Sequence, residues 1–160
     1  MNKVLYIMCG APGSGKSTWL SKHIDPNTSA VVSRDRIRFD LVKENEYYFS
    51  KEKEVFKSFC EQIAIALKDS KNVEVYADAT HLTESSRKKL IDGIKEYINL
   101  DNIKLGCVII MPPLSVCLER NALREGRECV PDSVIEKMYQ SFQDPHKDKI
   151  SFSFYKYSTN

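Results

Sequence analysis

The sequence predicts an α/β fold with a mostly parallel sheet, and three observations lead to this prediction. Short apolar segments alternate with amphipathic segments of helical period along the chain. A glycine-rich loop joins the first apolar segment, residues 3–9, to a helical segment that begins near Lys16. The 160 residues contain no internal repeat, low-complexity segment or interdomain linker. We therefore expect one domain over residues 1–160.

Each element follows from its local pattern. Strands are expected where β-branched and other apolar residues run together, at 3–9, 30–33, 73–78, 105–111 and 152–155. Helices are expected where apolar residues recur every three or four positions, at 16–24, from about 36, 50–69, from the capping residue Thr83, 114–124 and from about 131. This alternation favours five parallel strands with helices on the two faces of the sheet.

Composition and charge restrict the class of protein. Hydrophobic residues make up 42% of the chain and charged residues 29%, as in ordinary globular proteins. The net charge of +2 excludes nucleic-acid binding through bulk charge, so such binding needs a local patch. The five cysteines form no Cys-x-x-Cys pair, which argues against zinc and favours reduced thiols in a cytoplasmic compartment. No segment is long enough to cross a membrane.

A glycine-rich loop is the strongest motif. The stretch that matches G-x-x-x-x-G-K-[ST], the phosphate-binding loop of nucleotide-dependent kinases and NTPases, is Gly10-Ala11-Pro12-Gly13-Ser14-Gly15-Lys16-Ser17-Thr18. Glycines let successive backbone N–H groups turn toward one phosphate, and the following helix adds its positive end. We therefore expect the loop to bind ATP, with Lys16 on the β- and γ-phosphates and the Ser17 hydroxyl on Mg²⁺.

Charged residues follow the second predicted strand. Because the carboxyl ends of parallel strands share one edge, this segment should lie beside the glycine-rich loop. A phosphoryl acceptor needs a carboxylate that orients its hydroxyl, which makes Asp35 the candidate general base. Arg34 and Arg38 are candidates for binding the acceptor, Arg38 because it shares a helical face with Asp35. At least one of Arg34, Arg36 and Arg38 is expected to belong only to the surface.

The third strand ends at another carboxylate, Asp78. An acid at this position is typical of the Walker B strand, and it would hold Mg²⁺ through water or position the acceptor. The alternative is a turn-forming aspartate that accepts from nearby backbone N–H groups. Thr80 is a further candidate contact to the acceptor, whereas His81 is more typical of a hydrogen-bonded loop residue.

Arginines and aromatic residues mark two more segments. Arg120 and Arg124 lie four residues apart and so share a helix face, and Arg127 follows, which suits a small helical lid over about 120–130 that closes on ATP. Arg124 is then a catalytic candidate that neutralises charge on the transferred group. The alternative is salt bridging on a helix surface. The aromatic run Tyr47-Tyr48-Phe49 either stacks a nucleobase or packs in the core, and core packing is favoured for Phe49.

Several motifs together resemble the kinase domain of the phage-type polynucleotide 5′-hydroxyl kinases, over nearly the whole chain. The segments that carry the resemblance are the loop Gly10–Trp19, Ser33-Arg34-Asp35-Arg36-Ile37-Arg38, Asp78-Ala79-Thr80-His81-Leu82 followed by Arg87, and Leu118-Glu119-Arg120-Asn121-Ala122-Leu123-Arg124 leading to Val130-Pro131. The resemblance implies transfer of the γ-phosphate of ATP to 5′-hydroxyl ends of DNA or RNA, as in nucleic-acid repair. It implies that Asp35 is the base, that Arg38 holds the phosphate 3′ to the acceptor nucleoside, and that Arg120 and Arg124 belong to the lid over ATP.

We therefore expect a P-loop kinase-like three-layer fold with strand order 2-3-1-4-5, acting with ATP and Mg²⁺. A small-molecule kinase for a nucleoside, sugar or other metabolite is the alternative, because it uses the same machinery. A non-catalytic nucleotide switch and a nucleic-acid-binding protein that uses ATP only structurally are further alternatives. The presence of both Lys16 and Asp35 favours catalysis, and the absence of an Asn-Lys-x-Asp motif argues against a GTPase.

Overall fold

The computed structural model describes residues 2–126 and 129–158, and it has the α/β architecture expected from the sequence. The strands are β1 (Lys3–Cys9), β2 (Ser29–Ser33), β3 (Glu74–Asp78), β4 (Ile103–Ile110) and β5 (Phe154–Ser158). They form a five-stranded sheet in the order β2-β3-β1-β4-β5, and every neighbouring pair is parallel. The predicted strand order and parallel direction are therefore confirmed.

Within the described residues, six α-helices flank this sheet. They are α1 (Lys16–His23), α2 (Arg34–Leu41), α3 (Glu52–Lys68), α4 (Glu84–Lys95), α5 (Leu114–Ala122) and α6 (Asp132–Gln140). The Ser33 side chain accepts from the Arg36 N–H, so α2 begins two residues earlier than predicted. The Thr83 side chain caps α4 as predicted, by accepting from the Ser86 N–H. Predicted strand residue Phe152 is instead a buried core residue just before β5.

The sheet is covered on both faces by apolar side chains. On one face, α3 and α4 contribute residues such as Phe59, Ile63 and Ile94 to the larger cluster of buried residues. On the other face, Trp19 and Leu20 of α1 pack against a smaller cluster that contains Tyr6. Burial on both faces explains why the central strands are nearly continuous apolar runs. None of the helices in the described segments is long and apolar enough to cross a bilayer.

The parallel strands bring their carboxyl ends to one edge of the sheet, and the loops there are hydrogen-bonded to each other. The Gly10 N–H, after β1, donates to the Thr80 carbonyl, after β3, at 2.9 Å. The first helical turn of α2 follows β2 at the same edge. This edge therefore holds the glycine-rich loop, Asp35 and Asp78, as the rule for open α/β sheets predicts.

Candidate active site

The loop between β1 and α1 has a curled backbone that needs glycine. Gly13 and Gly15 have φ angles of +79° and +99°, a region that disfavours other residues. A Cβ at Gly13 would lie 2.5 Å from the Cys117 carbonyl oxygen of α5. Inside the loop, the buried Oγ of Ser14 has no hydrogen-bond partner among the described residues. The curled backbone and the unpaired Ser14 hydroxyl among the described residues fit a phosphate-binding loop.

Lys16 lies across this loop. Its Nζ donates to the carbonyl oxygens of Gly10 and Ala11, at 2.9 and 3.2 Å. Burial lowers the pKa of Lys16, while the charges of Asp78 and Asp35 oppose this shift and the charge of Arg124 adds to it. The structure therefore brings Asp35, Asp78 and Arg124 within electrostatic reach of the Lys16 ammonium.

Asp78 and Ser17 both line one groove of the protein. Burial raises the pKa of Asp78, and the nearby Lys16 ammonium opposes this effect while Asp35 reinforces it. A cation beside Asp78 would therefore favour its ionised form. A serine hydroxyl and a carboxylate are oxygen donors of the kind that Mg²⁺ uses, with phosphate and water oxygens completing its shell. The chemistry of these two side chains fits a magnesium ion.

Asp35 is held in place by a buried arginine. The Asp35 side chain is 78% exposed, and its Oδ1 accepts from Arg38 Nη1 at 2.5 Å. Arg38 is only 8% exposed at its side chain, and its Nε and Nη2 donate to the two carboxylate oxygens of Glu52 at 2.6 and 2.9 Å. Glu52 therefore holds the Arg38 guanidinium, and Arg38 in turn holds the Asp35 carboxylate.

This arrangement bears on the predicted role of Arg38. The sequence assigned Arg38 to a phosphate of the acceptor, but in this structure its guanidinium is buried and paired with two carboxylates. These pairs use only part of the N–H donors of the guanidinium, so the contact of Arg38 with an acceptor phosphate stays a prediction. Glu52 was missed by the sequence analysis. Its only signal is an acidic residue in the first turn of α3, since the bond to Arg38 joins residues 14 positions apart.

The two neighbouring arginines differ in exposure. Arg34 Nη2 donates to Glu52 at 3.3 Å, and its buried Nε has no partner within the part of the chain described. Arg36 is 80% exposed and pairs with Asp40 at 3.8 Å, so it is the surface arginine of the three. Arg34 thus shares Glu52 with Arg38 and is the less fully paired of the two.

Glu52→Gln is expected to lower the free energy of unfolding by about 2 kcal/mol. This is less than the roughly 3–5 kcal/mol for breaking a buried pair, because Glu52 is 36% exposed. Urea denaturation at pH 7 measures the change, with Glu54→Gln, in the same helical turn, as the control. An equal loss in both variants would contradict the pairing.

The loss of stability caused by Glu52→Gln should also depend on pH. Burial opposes ionisation of Glu52, but the hydrogen bond and charge of Arg38, with Arg34, outweigh it and lower the Glu52 pKa. A lowered pKa in the folded state contributes stability above the unfolded-state pKa, and this stability is lost as pH falls through the folded-state value. The difference between wild type and Glu52→Gln should therefore shrink in acid.

Arg120 and Arg124 occupy different positions around the loop. Arg120 Nη1 donates to the Ser14 carbonyl at 2.8 Å, so this arginine contacts the backbone of the loop itself. The expectation that the two arginines share a helix face is wrong, because α5 ends at Ala122 and Arg124 lies beyond it, exposed.

The predicted lid is described only in part. Within it, the Asn121 side chain bonds both the N–H and the carbonyl of Val130, at 3.2 and 2.6 Å, and so ties Val130 to α5. Arg127 lies outside the described residues.

The loop after β3 is fixed by buried polar groups. Arg87, which is fully buried, donates to the Asp148 carboxylate at 2.6 and 2.7 Å and to the carbonyls of His81 and Gln143 at 2.9 and 2.8 Å. His81 has a φ of +40°, and its Nδ1 bonds the Met8 carbonyl at 2.9 Å. Burial lowers the His81 pKa to about 4, so its ring is neutral at pH 7. Thr80 accepts from Gly10 through its carbonyl, and a side-chain role for Thr80 stays a prediction.

A groove of about 650 Å³ is lined by Ser17 and Asp78 and by further residues of α1, β2, α2 and α3. Much of its lining is apolar; these residues are Leu20, Ile24, Val31, Val32, Ile37 and Leu41. Its charged residues are Arg36, Asp40 and Asp78, so the groove has no excess of positive charge. Asp35 belongs to a different face of α2 from the one that borders this groove.

A curled glycine loop, its lysine and two carboxylates at one edge of a parallel sheet define a P-loop kinase-like protein, a class that implies nucleotide binding. The chain belongs to the AAA_33 family, described as an AAA domain, whose profile matches residues 5–145. The match supports the P-loop kinase class, and it does not single out the phage-type polynucleotide kinases.

Solved structures with several activities share this fold. A fungal RNA kinase has a TM-score of 0.64 and 14% identity, over 98% of this chain and 74% of that chain. A sugar kinase from Janibacter sp. HTCC2649 has a TM-score of 0.61 and 16% identity, over 100% and 85%. A chain of the Pnkp1/Rnl/Hen1 complex has a TM-score of 0.60 and 19% identity, over 95% and 44%. At these identities the likeness concerns the fold, and it leaves the acceptor open.

Proposed function

We propose that the protein is an ATP-dependent kinase that transfers the γ-phosphate of ATP to the 5′-hydroxyl of DNA or RNA ends. The observation that carries the proposal is the exposed Asp35 carboxylate, held by Arg38 within electrostatic reach of Lys16. A carboxylate so placed can accept the proton of a hydroxyl while the loop holds the phosphates. The fold shared with an RNA kinase supports a nucleic-acid acceptor.

In the proposed reaction the acceptor oxygen forms a bond to the γ-phosphorus, the bond from that phosphorus to the β-phosphate oxygen breaks, and ADP leaves. Asp35 orients the hydroxyl and takes its proton. Lys16 exchanges its bonds to Gly10 and Ala11 for the phosphates. Ser17 and Asp78 would hold Mg²⁺, which supplies positive charge to the phosphate oxygens.

Two arginines complete the proposed site. Arg120 positions the loop through the Ser14 carbonyl, and the exposed Arg124 would neutralise charge on the transferred phosphoryl group. The reduced cysteines expected from the sequence favour a cytoplasmic location for this enzyme.

A small-molecule kinase is the second candidate, and one observation favours it. The groove beside Ser17 and Asp78 has one arginine against two aspartates, so it offers little attraction to a polyanionic strand. Its volume is in the range of metabolite pockets. A sugar kinase with the same fold supports this candidate.

Incubation with ATP labelled at the γ-phosphate, Mg²⁺ and a panel of acceptors is expected to label DNA or RNA oligonucleotides that end in a 5′-hydroxyl. The same oligonucleotides carrying a 5′-phosphate are the acceptor controls, and Lys16→Ala, which removes the phosphate contact, is the enzyme control. Label on a sugar or free nucleoside, with none on the oligonucleotides, would support the second candidate. ATP hydrolysis with no labelled acceptor would refute both.

A further inference from the structure

Three consecutive aromatic residues form a cluster next to Asp35, and we call Tyr47, Tyr48 and Phe49 the aromatic platform. The Phe49 ring lies edge-on to Tyr47, with centroids 5.8 Å apart, and to Tyr48, with centroids 5.1 Å apart. The Tyr48 hydroxyl lies 3.5 Å from the Asp35 carbonyl oxygen. The aromatic platform therefore adjoins the helical turn that carries the candidate base.

Arg38 joins the platform to the candidate base. Its guanidinium carbon lies over the rings of Phe49 and Tyr48, 5.1 and 5.5 Å from their centroids, while its Nη1 donates to Asp35. One side chain thus contacts both the rings and the carboxylate. When the hydroxyl of an acceptor is held at Asp35, the rest of the acceptor molecule is therefore within reach of the aromatic rings.

The platform is exposed to solvent. Tyr47 is 73% exposed and Phe49 is 42% exposed, although both rings are clustered. The sequence favoured core packing for Phe49, and the structure contradicts it, because the residue is partly exposed and Arg38 lies over its ring. Exposed aromatic rings beside a reactive group are typical of a ligand-binding surface.

The charges around the platform are paired. Arg38 meets Glu52 and Asp35, and Lys51 lies 3.5 Å from Glu46. On the other face of α2, Arg36 pairs with Asp40. Paired cations offer little to a phosphate, so a ligand here would be recognised mainly through its contact with the rings.

We propose that the aromatic platform stacks on the nucleobase of the acceptor nucleotide, so that the acceptor is a molecule with a base next to its reacting hydroxyl. This inference rests on the proposed function, which places the hydroxyl at Asp35. Every base has a π-face for stacking, whereas a saturated sugar ring has no π-face. Stacking also explains how a chain with a net charge of only +2 could hold a nucleic-acid end.

Two oligonucleotides test this inference, both with a 5′-hydroxyl and a 3′-fluorophore, and differing only in the terminal residue. One ends in thymidine, and the other ends in an abasic tetrahydrofuran residue with the same phosphates. Fluorescence anisotropy without ATP measures binding, and transfer of labelled phosphate measures kcat/KM. Wild type should prefer the thymidine end by about 5- to 150-fold in both measurements.

Variants of Tyr47 test whether the preference for the thymidine end arises at the aromatic platform. Tyr47→Phe keeps the ring and should retain the preference, while Tyr47→Leu keeps only apolar bulk and should lose most of it. ATP affinity should not change in either variant. Phe154→Leu, which removes a partly exposed aromatic ring at the amino end of β5, is the control and should behave as wild type.

The outcomes separate the two proposals. Equal use of both ends by wild type, or an equal loss on both ends in Tyr47→Leu, overturns base stacking while the kinase proposal stands. A binding preference without phosphoryl transfer refutes the kinase and keeps the platform as a base-binding surface. If the protein shows no binding preference and no phosphoryl transfer, both proposals are refuted.

Discussion

Asp35→Asn is expected to lower kcat by about 10²–10⁴-fold, while ATP affinity stays close to that of the wild type. The amide can still hydrogen-bond a hydroxyl, but it cannot take its proton. The fold should tolerate the change, because the Asp35 side chain is 78% exposed and Arg38 keeps its two bonds to Glu52. ATP affinity should persist because the phosphate loop is untouched.

The measurement is kcat at saturating acceptor, together with ATP binding by calorimetry and the melting temperature. Asp132→Asn is the matched control. Asp132 also lies in the first turn of a helix, α6, and its substitution removes the same charge. Wild-type turnover in Asp35→Asn would show that Asp35 is not the base. A loss of ATP affinity as large as the loss of kcat would assign the residue to the nucleotide instead.

Arg87→Met is expected to lower the free energy of unfolding by about 3–5 kcal/mol. The substitution leaves the Asp148 carboxylate, 2% exposed, without its partner, and it leaves the carbonyls of His81 and Gln143 without this donor. A buried charge without a partner costs far more than the loss of a surface pair.

Lys88→Met is the matched control, because Lys88 is the next residue of α4 and pairs with Asp92 on the surface at 2.7 Å. It should cost no more than about 0.5 kcal/mol. Urea denaturation of both variants gives the comparison. The double variant Arg87→Met with Asp148→Leu should recover part of the loss, since it removes the uncompensated charge. Equal stability of Arg87→Met and Lys88→Met would contradict the role of the buried pair.

The sequence located the phosphate loop because its glycines act locally. Gly13 and Gly15 are required by the φ angles of their own residues, which a spacing motif reports directly. The parallel sheet followed from apolar runs that alternate with amphipathic helices, whereas the strand order 2-3-1-4-5 followed from the resemblance to the polynucleotide kinases. Asp35 and Asp78 were found because Asp78 ends β3 and Asp35 lies in the helical turn that follows β2, both at the carboxyl edge.

The helix boundaries at the site were less predictable. The apolar period of α5 suggested a helix to residue 124, but the helix ends at Ala122. This difference of two residues places Arg124 in the segment beyond the helix rather than on a face with Arg120. Helix ends depend on which carbonyl and N–H groups find other partners, and tertiary contacts decide this.

The sequence by itself determined the fold class, the phosphate loop and the carboxylates at the sheet edge, because local backbone geometry and strand termini encode them. Only the tertiary structure revealed that Glu52 pairs with Arg38, that Arg87 pairs with Asp148 and that Phe49 is partly exposed to solvent. The first pair joins residues 14 positions apart and the second joins residues 61 positions apart. The exposure of Phe49 depends on which side chains cover its ring. Pairing and burial are properties of the folded surface, and the spacing of residues along a chain does not specify them.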